Sequence, residues 1–417
     1  MTALLPDAIA TSVAAARSEI WGRFMNAETG ILYDHTDAAG TVHLPTEADI
    51  AERRPNALSY QVPIEDGAFY NALLLLGQCA RWQATGDADA AERAVRIART
   101  LTRLGTVSAV PGFVARNLLM PSGAHYPCSS DDQVFPWILA LWTFHQSGIP
   151  DPALRDAVGA LLVDKITALE KRAWKIPSDP EDFQHYGAFL ATRNAHVVRI
   201  PFVTRIAHVL TGDAIWLERY RDALAMTQPG KAAPTLALLE RGAPYGPPGA
   251  NSHRFWLSGS SQPALHWLAR LEDDLEIRAA FERGLAANAR AAVPHAERYG
   301  LFDNGDTRHF ELDWRYLNAI WRPQTDAWDA RQLAMQQVEW GYEVSPRGPY
   351  EFGLVTEPIF AAWVIVASGD RAFIKSQRRL IEAVLLHYDW SRLYTVPFVI
   401  VETIAHTAAL SGLWTEG

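Results

Sequence analysis

The sequence predicts an all-α protein built from helical hairpins, because one turn motif recurs between pairs of helical segments. It reads Thr85-Gly86-Asp87, Thr211-Gly212-Asp213 and Ser368-Gly369-Asp370, with degenerate copies at Ser147 to Asp151 and Leu271 to Asp274. The first steps from one turn aspartate to the next span 64, 62 and 61 residues. Paired helices at a fixed period indicate a closed toroid or an open solenoid.

Each turn aspartate is expected to cap the helix that follows it. The last step, from Asp274 to Asp370, spans 96 residues and must contain an insertion or an extra hairpin. Apolar residues at helical spacing predict the segments themselves. They are residues 6–24, 67–82, 88–104, 134–146, 152–172, 187–210, 215–225, 255–271, 275–292, 356–367, 372–387 and 395–413. The first and last of these could pack together to close a ring.

Composition predicts one domain over residues 1–417. Hydrophobic residues make up 49% and charged residues 20%, and no uncharged apolar run reaches 18 residues, which argues against a membrane protein. The N-terminal segment lacks a basic start, so a cytoplasmic location is expected. Two cysteines exclude a disulfide framework and a Cys-based zinc site, and the histidines are too dispersed for a metal site. A net charge of −9 without basic blocks argues against nucleic acid as a partner.

The links between hairpins are long, whereas those within hairpins are short. Long links cover residues 105–130, 175–186, 227–254 and 342–355. If the first helix of each pair lines the ring, these links and the N-termini of the lining helices share one end. Binding residues concentrate in such loops. We therefore expect the site at that end.

Polar side chains concentrate in and beside these links. Asp66 starts a helix and could be either a cap or a functional carboxyl, while Asp132 follows residues able to cap its own helix. The catalytic candidates are Asp66, His125, Tyr126, Asp132 and Glu351. The candidates for substrate binding are Arg116, Gln133, His185, Tyr186, Asn251, His253, Trp256, Trp314 and Tyr350.

The aromatic content favours a saccharide ligand. The chain has 15 Trp, 13 Tyr and 16 Phe, and sugar rings present apolar faces to aromatic platforms and hydroxyl edges to polar groups. The platform candidates lie near loops and are Trp256, Trp314, Trp321, Trp328 and Tyr350. An oligosaccharide is the expected partner, no cofactor is required, and the oligomeric state stays open.

The chain resembles the six-hairpin (α/α) toroid enzymes that act on carbohydrates, a group that includes unsaturated glucuronyl hydrolases and several polysaccharide lyases. The resemblance depends on the hairpin repeat and on four motifs. They are Glu65-Asp66-Gly67, Ala84-Thr85-Gly86-Asp87, Gly112-Phe113-Val114-Ala115-Arg116 and Ser130-Asp131-Asp132-Gln133. It implies an (α/α) toroid of six or seven hairpins. It also implies functional acids at the starts of lining helices, at Asp66 and Asp132.

Two chemistries compete within such a fold. A glycoside hydrolase needs two carboxyls with different pKa values, one as acid and one as base. A uronate lyase needs a Tyr or His to move a proton, and Asn, His or Arg to neutralise the substrate carboxylate. Hydrolysis is the leading hypothesis and elimination the alternative. A sugar epimerase that uses paired histidines, and a glycan-binding toroid without catalysis, also stay open.

Overall fold

The computed structural model describes residues 4–183, 187–191, 193–250 and 253–414, and it leaves the side chains of 253 and 254 undescribed. Across these ranges the protein is all-α, as predicted, and β-structure is limited to isolated bridges such as His35 with Thr395. The α-helices are α1 (Asp7–Glu19), α2 (Glu47–Ala51), α3 (Gly67–Thr85), α4 (Ala88–Thr106), α5 (Asp131–Gln146), α6 (Pro152–Lys171), α7 (Arg199–Thr211), α8 (Ala214–Ala225), α9 (Thr235–Arg241), α10 (His253–Ser258), α11 (Ser261–Leu271), α12 (Leu275–Ala296), α13 (Ala327–Val344), α14 (Arg347–Glu351), α15 (Glu357–Val366), α16 (Arg371–Ser376), α17 (Arg378–His387) and α18 (Val401–Leu410).

The Gly-Asp turns behave as the sequence predicts. Gly86 and Gly212 end α3 and α7 in the left-handed conformation, with φ of 67° and 68°, which a residue with a Cβ adopts only with strain. The following aspartate then caps the next helix by accepting a backbone N–H. This bond is present at all five turns, from Asp87, Asp151, Asp213, Asp274 and Asp370.

The hairpin helices pack in chain order, and the last returns to the first. Helix α3 packs on α4 and α5, α5 on α6, and α6 on α7. Helix α7 then packs on α8 and α11, α11 on α12, α12 on α15, and α15 on α18. Helix α18 lies against α3, and α1 packs on both α17 and α18. The N-terminal and C-terminal helices are therefore neighbours, as predicted.

The long last step contains an insertion. Helix α13 packs over the segment that precedes α3, where the Gln337 amide bonds the Asn56 side chain at 2.7 Å and the Pro55 carbonyl at 2.9 Å. Ala330 and Ala334 of α13 share a small apolar cluster with Ala57 and Leu58. The insertion therefore covers the loop that leads to Asp66.

Three predicted helices are interrupted. The helix predicted from residue 187 begins only near 194, because Gly187 has a φ of 90° and Ala188 forms a bridge with Lys175. The segment 255–271 breaks at Gly259, where a Cβ would lie 2.9 Å from both the Phe255 carbonyl oxygen and the Phe360 ring. The segment 372–387 breaks at Gln377. As a result, α7 is preceded by a 3-10 turn, and α10 is a short helix separate from α11.

One apolar core runs from α1 to α18. Its largest fully buried side chains include Trp137, Trp142 and Trp363. Among the described helices none combines the length and the apolarity that a membrane crossing requires.

Candidate active site

The N-termini of α3 and α5 meet in a shared polar network. Asp66 and Ser130 occupy the N-cap positions of the two helices, yet neither side chain caps its own helix. Gln133 of α5 accepts the Phe69 N–H of α3 at 3.0 Å and donates its amide to the Asp66 carboxylate. The amide therefore has a fixed orientation, with its oxygen towards α3 and its nitrogen towards Asp66. Of the two roles that the sequence left open for Asp66, the capping role is taken instead by a residue of α5.

Arg116 lies between these two helix starts. Its guanidinium is 1% exposed, donates to the Leu58 carbonyl at 2.9 Å and to the Ser130 hydroxyl at 3.2 Å, and lies 3.5 Å from the Asp66 carboxylate. The Ala68 N–H in turn donates to the Arg116 carbonyl at 2.9 Å. Arg116 thus fixes the loop before α3, the start of α3 and the start of α5 relative to one another.

The sequence suggested that Asp132 is free of structural contacts, but its carboxylate has a hydrogen-bond partner. The Ser130 hydroxyl donates to its carboxylate, and the neighbouring Asp131 forms an ion pair with the buried Arg199 of α7. The Asp131 carboxylate also packs so closely on Gly187 that a Cβ there would collide with it. Asp132 itself stays half-buried. The start of α5 is therefore held on both sides while the Asp132 side chain keeps contact with solvent.

Two further carboxyls complete the group, and we call Asp34, Glu65, Asp66 and Asp132 the carboxyl cluster. Both oxygens of Asp34 accept the Asp66 N–H at 3.0 Å, and Glu65 accepts the Gln61 N–H at 2.7 Å. Sequence reasoning placed Glu65 beside Asp66 but missed Asp34. Asp34 lies in an irregular segment far from any repeat, so no local signal marks it.

Burial raises the pKa values in the carboxyl cluster. It raises the pKa of Asp66 to about 7, which the neighbouring charge of Asp132 supports and which Arg116 and Gln133 oppose. Burial and the charge of Asp131 raise the pKa of Asp132, against the effects of Arg116, Ser130 and Arg199. The pKa values of Asp34 and Glu65 lie well above their usual range, because burial and the Asp66 charge disfavour ionisation. The protonated form is therefore favoured more in this cluster than in carboxyls that are exposed to solvent.

Aromatic side chains adjoin the cluster. The Trp256 ring of α10 lies 4.7 Å from the Phe69 ring, and its indole N–H donates to the Tyr70 hydroxyl at 3.3 Å. Burial and the charges of Asp34 and Asp66 raise the pKa of Tyr70 far above its usual range, so its hydroxyl keeps its proton. Trp256 is half-buried. Among the five platform candidates, Trp256 is the one whose contacts place it beside the carboxyl cluster.

His35 is a second residue that the sequence analysis missed. It follows Asp34, is half-buried, and its ring lies 5.5 Å from the Phe310 ring. Burial lowers the pKa of His35 to about 4, so the imidazole is neutral at physiological pH.

His125 and Tyr126 have structural partners elsewhere. The His125 ring bonds the Gly123 carbonyl at 2.9 Å and the Asp179 carboxylate at 3.1 Å. Tyr126 is fully buried, and its hydroxyl donates to the Arg54 carbonyl. Its side chain belongs to an apolar cluster with Ile64 and Leu317. Neither side chain contacts Asp66 or Asp132.

Glu351 and Tyr350 also have structural partners. The Glu351 carboxylate is fully buried and accepts bonds from Arg347 at 2.7 Å, from the Tyr394 N–H, and from the Thr395 N–H and hydroxyl at 2.9 and 2.7 Å. The Tyr350 ring stacks on Phe302 at 5.3 Å, and its hydroxyl accepts the Asp303 N–H. These contacts hold the segment after α17 in place and leave Tyr350 without a free face.

Trp314 cannot act as an exposed platform. It is 2% exposed, and its indole N–H donates to the His43 carbonyl at 2.5 Å, inside the apolar cluster that also contains Tyr126. His185, Tyr186 and Asn251 lie outside the described residues, as does the side chain of His253. Of the predicted site residues, the structure brings together Asp66, Arg116, Asp132, Gln133 and Trp256.

The arrangement suits acid–base chemistry by carboxyls. It combines carboxyls with raised pKa values, one buried guanidinium and an aromatic platform, whereas the described residues contain no group of three or more His, Cys, Asp or Glu placed to bind a metal ion.

Comparisons of the chain with known protein families, with curated proteins and with solved structures found no match.

Proposed function

We propose that the protein is a glycoside hydrolase that acts on oligosaccharides, with uronate-containing ones as the leading class, and that Asp66 and Asp132 are its acid and base. The observation that carries the proposal is the network at the starts of α3 and α5. It positions two carboxyls through Gln133, Ser130 and Arg116, while burial raises both of their pKa values. Two carboxyls with separately adjusted pKa values are the requirement of glycoside hydrolysis.

The roles follow from the contacts. Burial raises the pKa of Asp66 to about 7, so this carboxyl is partly protonated near neutral pH and can transfer a proton to the glycosidic oxygen, while Gln133 fixes its orientation. Burial also raises the pKa of Asp132, but the Ser130 hydroxyl and two guanidinium groups oppose that rise and favour its ionised form. Asp132 is therefore the base that activates water, and Trp256 is the surface on which a sugar ring stacks.

We further propose that the hairpins close into a single (α/α) toroid. The return of α18 to α3 and the packing of α1 on α18 support a closed ring over an open solenoid, in which the two chain ends would lie apart. The free, buried Cys79 and Cys128 are compatible with a reducing compartment, and we place the activity in the cytoplasm.

Elimination has less support from the described side chains. The Tyr126 hydroxyl, one of the candidate proton carriers for that chemistry, is buried against the Arg54 carbonyl. The histidines of an epimerase are also dispersed, since His196 is buried and His309 has a 63% exposed side chain beside Glu311.

Ultraviolet absorbance separates the two chemistries. The purified protein is incubated with a panel of neutral and uronate-containing oligosaccharides, with and without a terminal unsaturated uronate, and reducing ends are counted in parallel. Hydrolysis raises reducing ends without creating unsaturated-uronate absorbance, and it removes that absorbance from an unsaturated substrate. A rise in the absorbance would establish elimination, and no product from any member of the panel would contradict the proposal.

A further inference from the structure

A cavity lies beside α10, and no residue of the carboxyl cluster lines it. It has a volume of about 350 Å³ and forms where the segment before α7 meets the loop 243–246 and α10. Its polar lining residues are Arg193, Asn194, Lys231, Tyr245 and Ser258. Among these described residues two are cations and none is a carboxylate, which is the reverse of the composition of the carboxyl cluster.

The cavity also lies at the N-terminus of a helical run. The 3-10 turn Asn194–Val198 continues directly into α7, so one helical run of 18 residues (194–211) begins at the cavity wall. The first N–H groups of such a run have no partner within the helix and point towards its N-terminal end. An anion at this position is stabilised by the N–H groups and by the helix dipole.

Ser258 supplies a buried donor at the same place. It is 2% exposed, lines the cavity, and its hydroxyl is 3.5 Å from the His196 ring, which is the outer limit of a hydrogen bond. A hydroxyl so weakly engaged can turn to donate to a ligand oxygen at little cost.

The cations around His196 create a positive electrostatic potential beneath the cavity. Burial lowers the pKa of His196 well below its usual value, and the charges of Arg199, Arg193 and Lys231 lower it further, against one backbone hydrogen bond. The imidazole is therefore neutral and does not add a titrating charge near pH 7. The positive field of the cavity comes from permanently charged guanidinium groups and from Lys231.

The cavity and the carboxyl cluster share two structural elements. The charge of Arg199 lowers the pKa of His196, and Arg199 also forms an ion pair with Asp131, the neighbour of Asp132. Helix α10 carries Trp256, which lies beside Phe69, and Ser258, which lines the cavity. Residues two positions apart on a helix project to roughly opposite sides. The cavity therefore lies across α10 from the carboxyl cluster.

We propose that this cavity is a subsite for an oxyanion carried by the ligand, either the carboxylate of a uronate or the phosphate of a phosphorylated sugar. Two cations, helix N–H groups and a buried hydroxyl provide the donors that both groups accept. That the oxyanion belongs to a sugar depends on the proposed hydrolase function, whereas the binding of the oxyanion itself does not. The carboxyl cluster then acts on the sugar chain, and the cavity selects chains with an acidic unit.

Titration calorimetry without turnover tests this subsite. Inorganic phosphate, glucuronate, glucose 6-phosphate and glucose are titrated into the wild type and into Lys231→Gln, Ser258→Ala and Lys231→Arg. Lys171→Gln, at an exposed lysine at the end of α6, is the matched control. Melting temperatures confirm that each variant is folded.

We expect the wild type to bind phosphate and at least one acidic sugar but not glucose. Loss of a charged hydrogen bond costs roughly 1.5–3 kcal/mol, so Lys231→Gln should weaken anion binding by about 10- to 100-fold. Ser258→Ala should weaken it by a smaller factor. Lys231→Arg and Lys171→Gln should bind anions about as tightly as the wild type. Tighter binding of glucuronate identifies a carboxylate site, and tighter binding of glucose 6-phosphate identifies a phosphate site. Equal binding by Lys231→Gln and the wild type, or no binding of any anion, would overturn the proposal.

The same titration on Asp132→Asn distinguishes the two proposals. If the subsite exists, this variant binds anions as the wild type does, whatever its turnover. If the hydrolase proposal fails while Lys231→Gln still loses anion binding, the cavity remains an anion site on a protein of another function.

Discussion

Individual side chains at the carboxyl cluster depart from their usual roles. Residues of the types at positions 66 and 130 normally cap helices, yet here both side chains face across the gap between α3 and α5. The α3 N–H groups are instead satisfied by Gln133 and by the Arg116 carbonyl. A cap can be lost without cost only when another group satisfies the helix end, so this exchange releases the Asp66 carboxylate from the capping role.

Replacement of Asp132 by Asn tests the proposed base. The amide keeps the shape but cannot take a proton, so turnover should fall by roughly 100-fold or more, the contribution of a positioned acid or base. Tyr126→Phe is the comparison, because its hydroxyl bonds only the Arg54 carbonyl among the described groups. It should leave turnover within a few-fold of wild type. Near-normal turnover of Asp132→Asn, or a larger loss in Tyr126→Phe, would refute the assignment.

The pH profile tests the proposed acid. Because the pKa of Asp66 is about 7, kcat/KM should fall tenfold per unit as pH rises above that value. Stability should follow the same titration. The folded state favours the protonated carboxyl, so the stabilising contribution is complete below the ordinary value of 3.8 and is lost as pH rises through about 7. Steady-state kinetics and urea unfolding between pH 4 and 9 measure both effects. A kcat/KM that stays constant through pH 8 would remove Asp66 as the acid.

At the scale of elements, the helices and their turns could be predicted because their signals are local. The Gly-Asp turns needed only a left-handed glycine and a capping aspartate, and all five caps are present. The interruption at Gly259 could not be predicted in the same way, because it depends on the approach of Phe360 from another helix. Asp34 and the cover formed by α13 were missed for the same reason, since long-range packing alone brings them to the site.

Gly67→Ala tests how closely α3 must approach its neighbours. A Cβ at this position would lie 2.6 Å from the Ile31 side chain and 2.7 Å from the Arg116 carbonyl oxygen. The start of α3 would have to move away from Arg116, at a cost of about 1–3 kcal/mol. We expect a lower unfolding midpoint and at least tenfold lower turnover, measured by urea unfolding and steady-state kinetics.

Gly22→Ala is the matched control for this substitution. It lies in a helical segment with no atom within 4 Å of the added Cβ, so stability and turnover should stay near wild type. Unchanged behaviour of Gly67→Ala would show that the α3 start tolerates displacement and that the network with Arg116 is not essential.

At the scale of the whole molecule, the two ends of the chain are joined by packing and by buried charge. Glu402 of α18 is 5% exposed and bonds Arg17 of α1 at 2.8 Å and Gln78 of α3 at 2.6 Å, with Arg81 of α3 at 3.5 Å. The contact between the first and last helices could be predicted, because a ring of hairpins closes only if its two ends pack together. The charged residue at their junction could not, since Glu402 looks like an ordinary first-turn acid in its helix.

Glu402→Ala tests whether this junction stabilises the fold. Removal of one partner leaves buried guanidinium groups with fewer partners, and breaking a buried pair costs about 3–5 kcal/mol. We expect the lower end of that range, because Arg81 keeps its ion pairs with Asp87 and Asp89. Glu382→Ala is the matched control. Its pair with Arg378 has the same 2.8 Å separation but side chains that are 29% and 41% exposed, so its loss should cost about 0.5 kcal/mol or less. Urea unfolding at pH 7 measures both variants. Equal losses would mean that apolar packing alone holds α1, α3 and α18 together, whereas the larger loss in Glu402→Ala would show that the contact between the chain ends depends on this buried carboxylate.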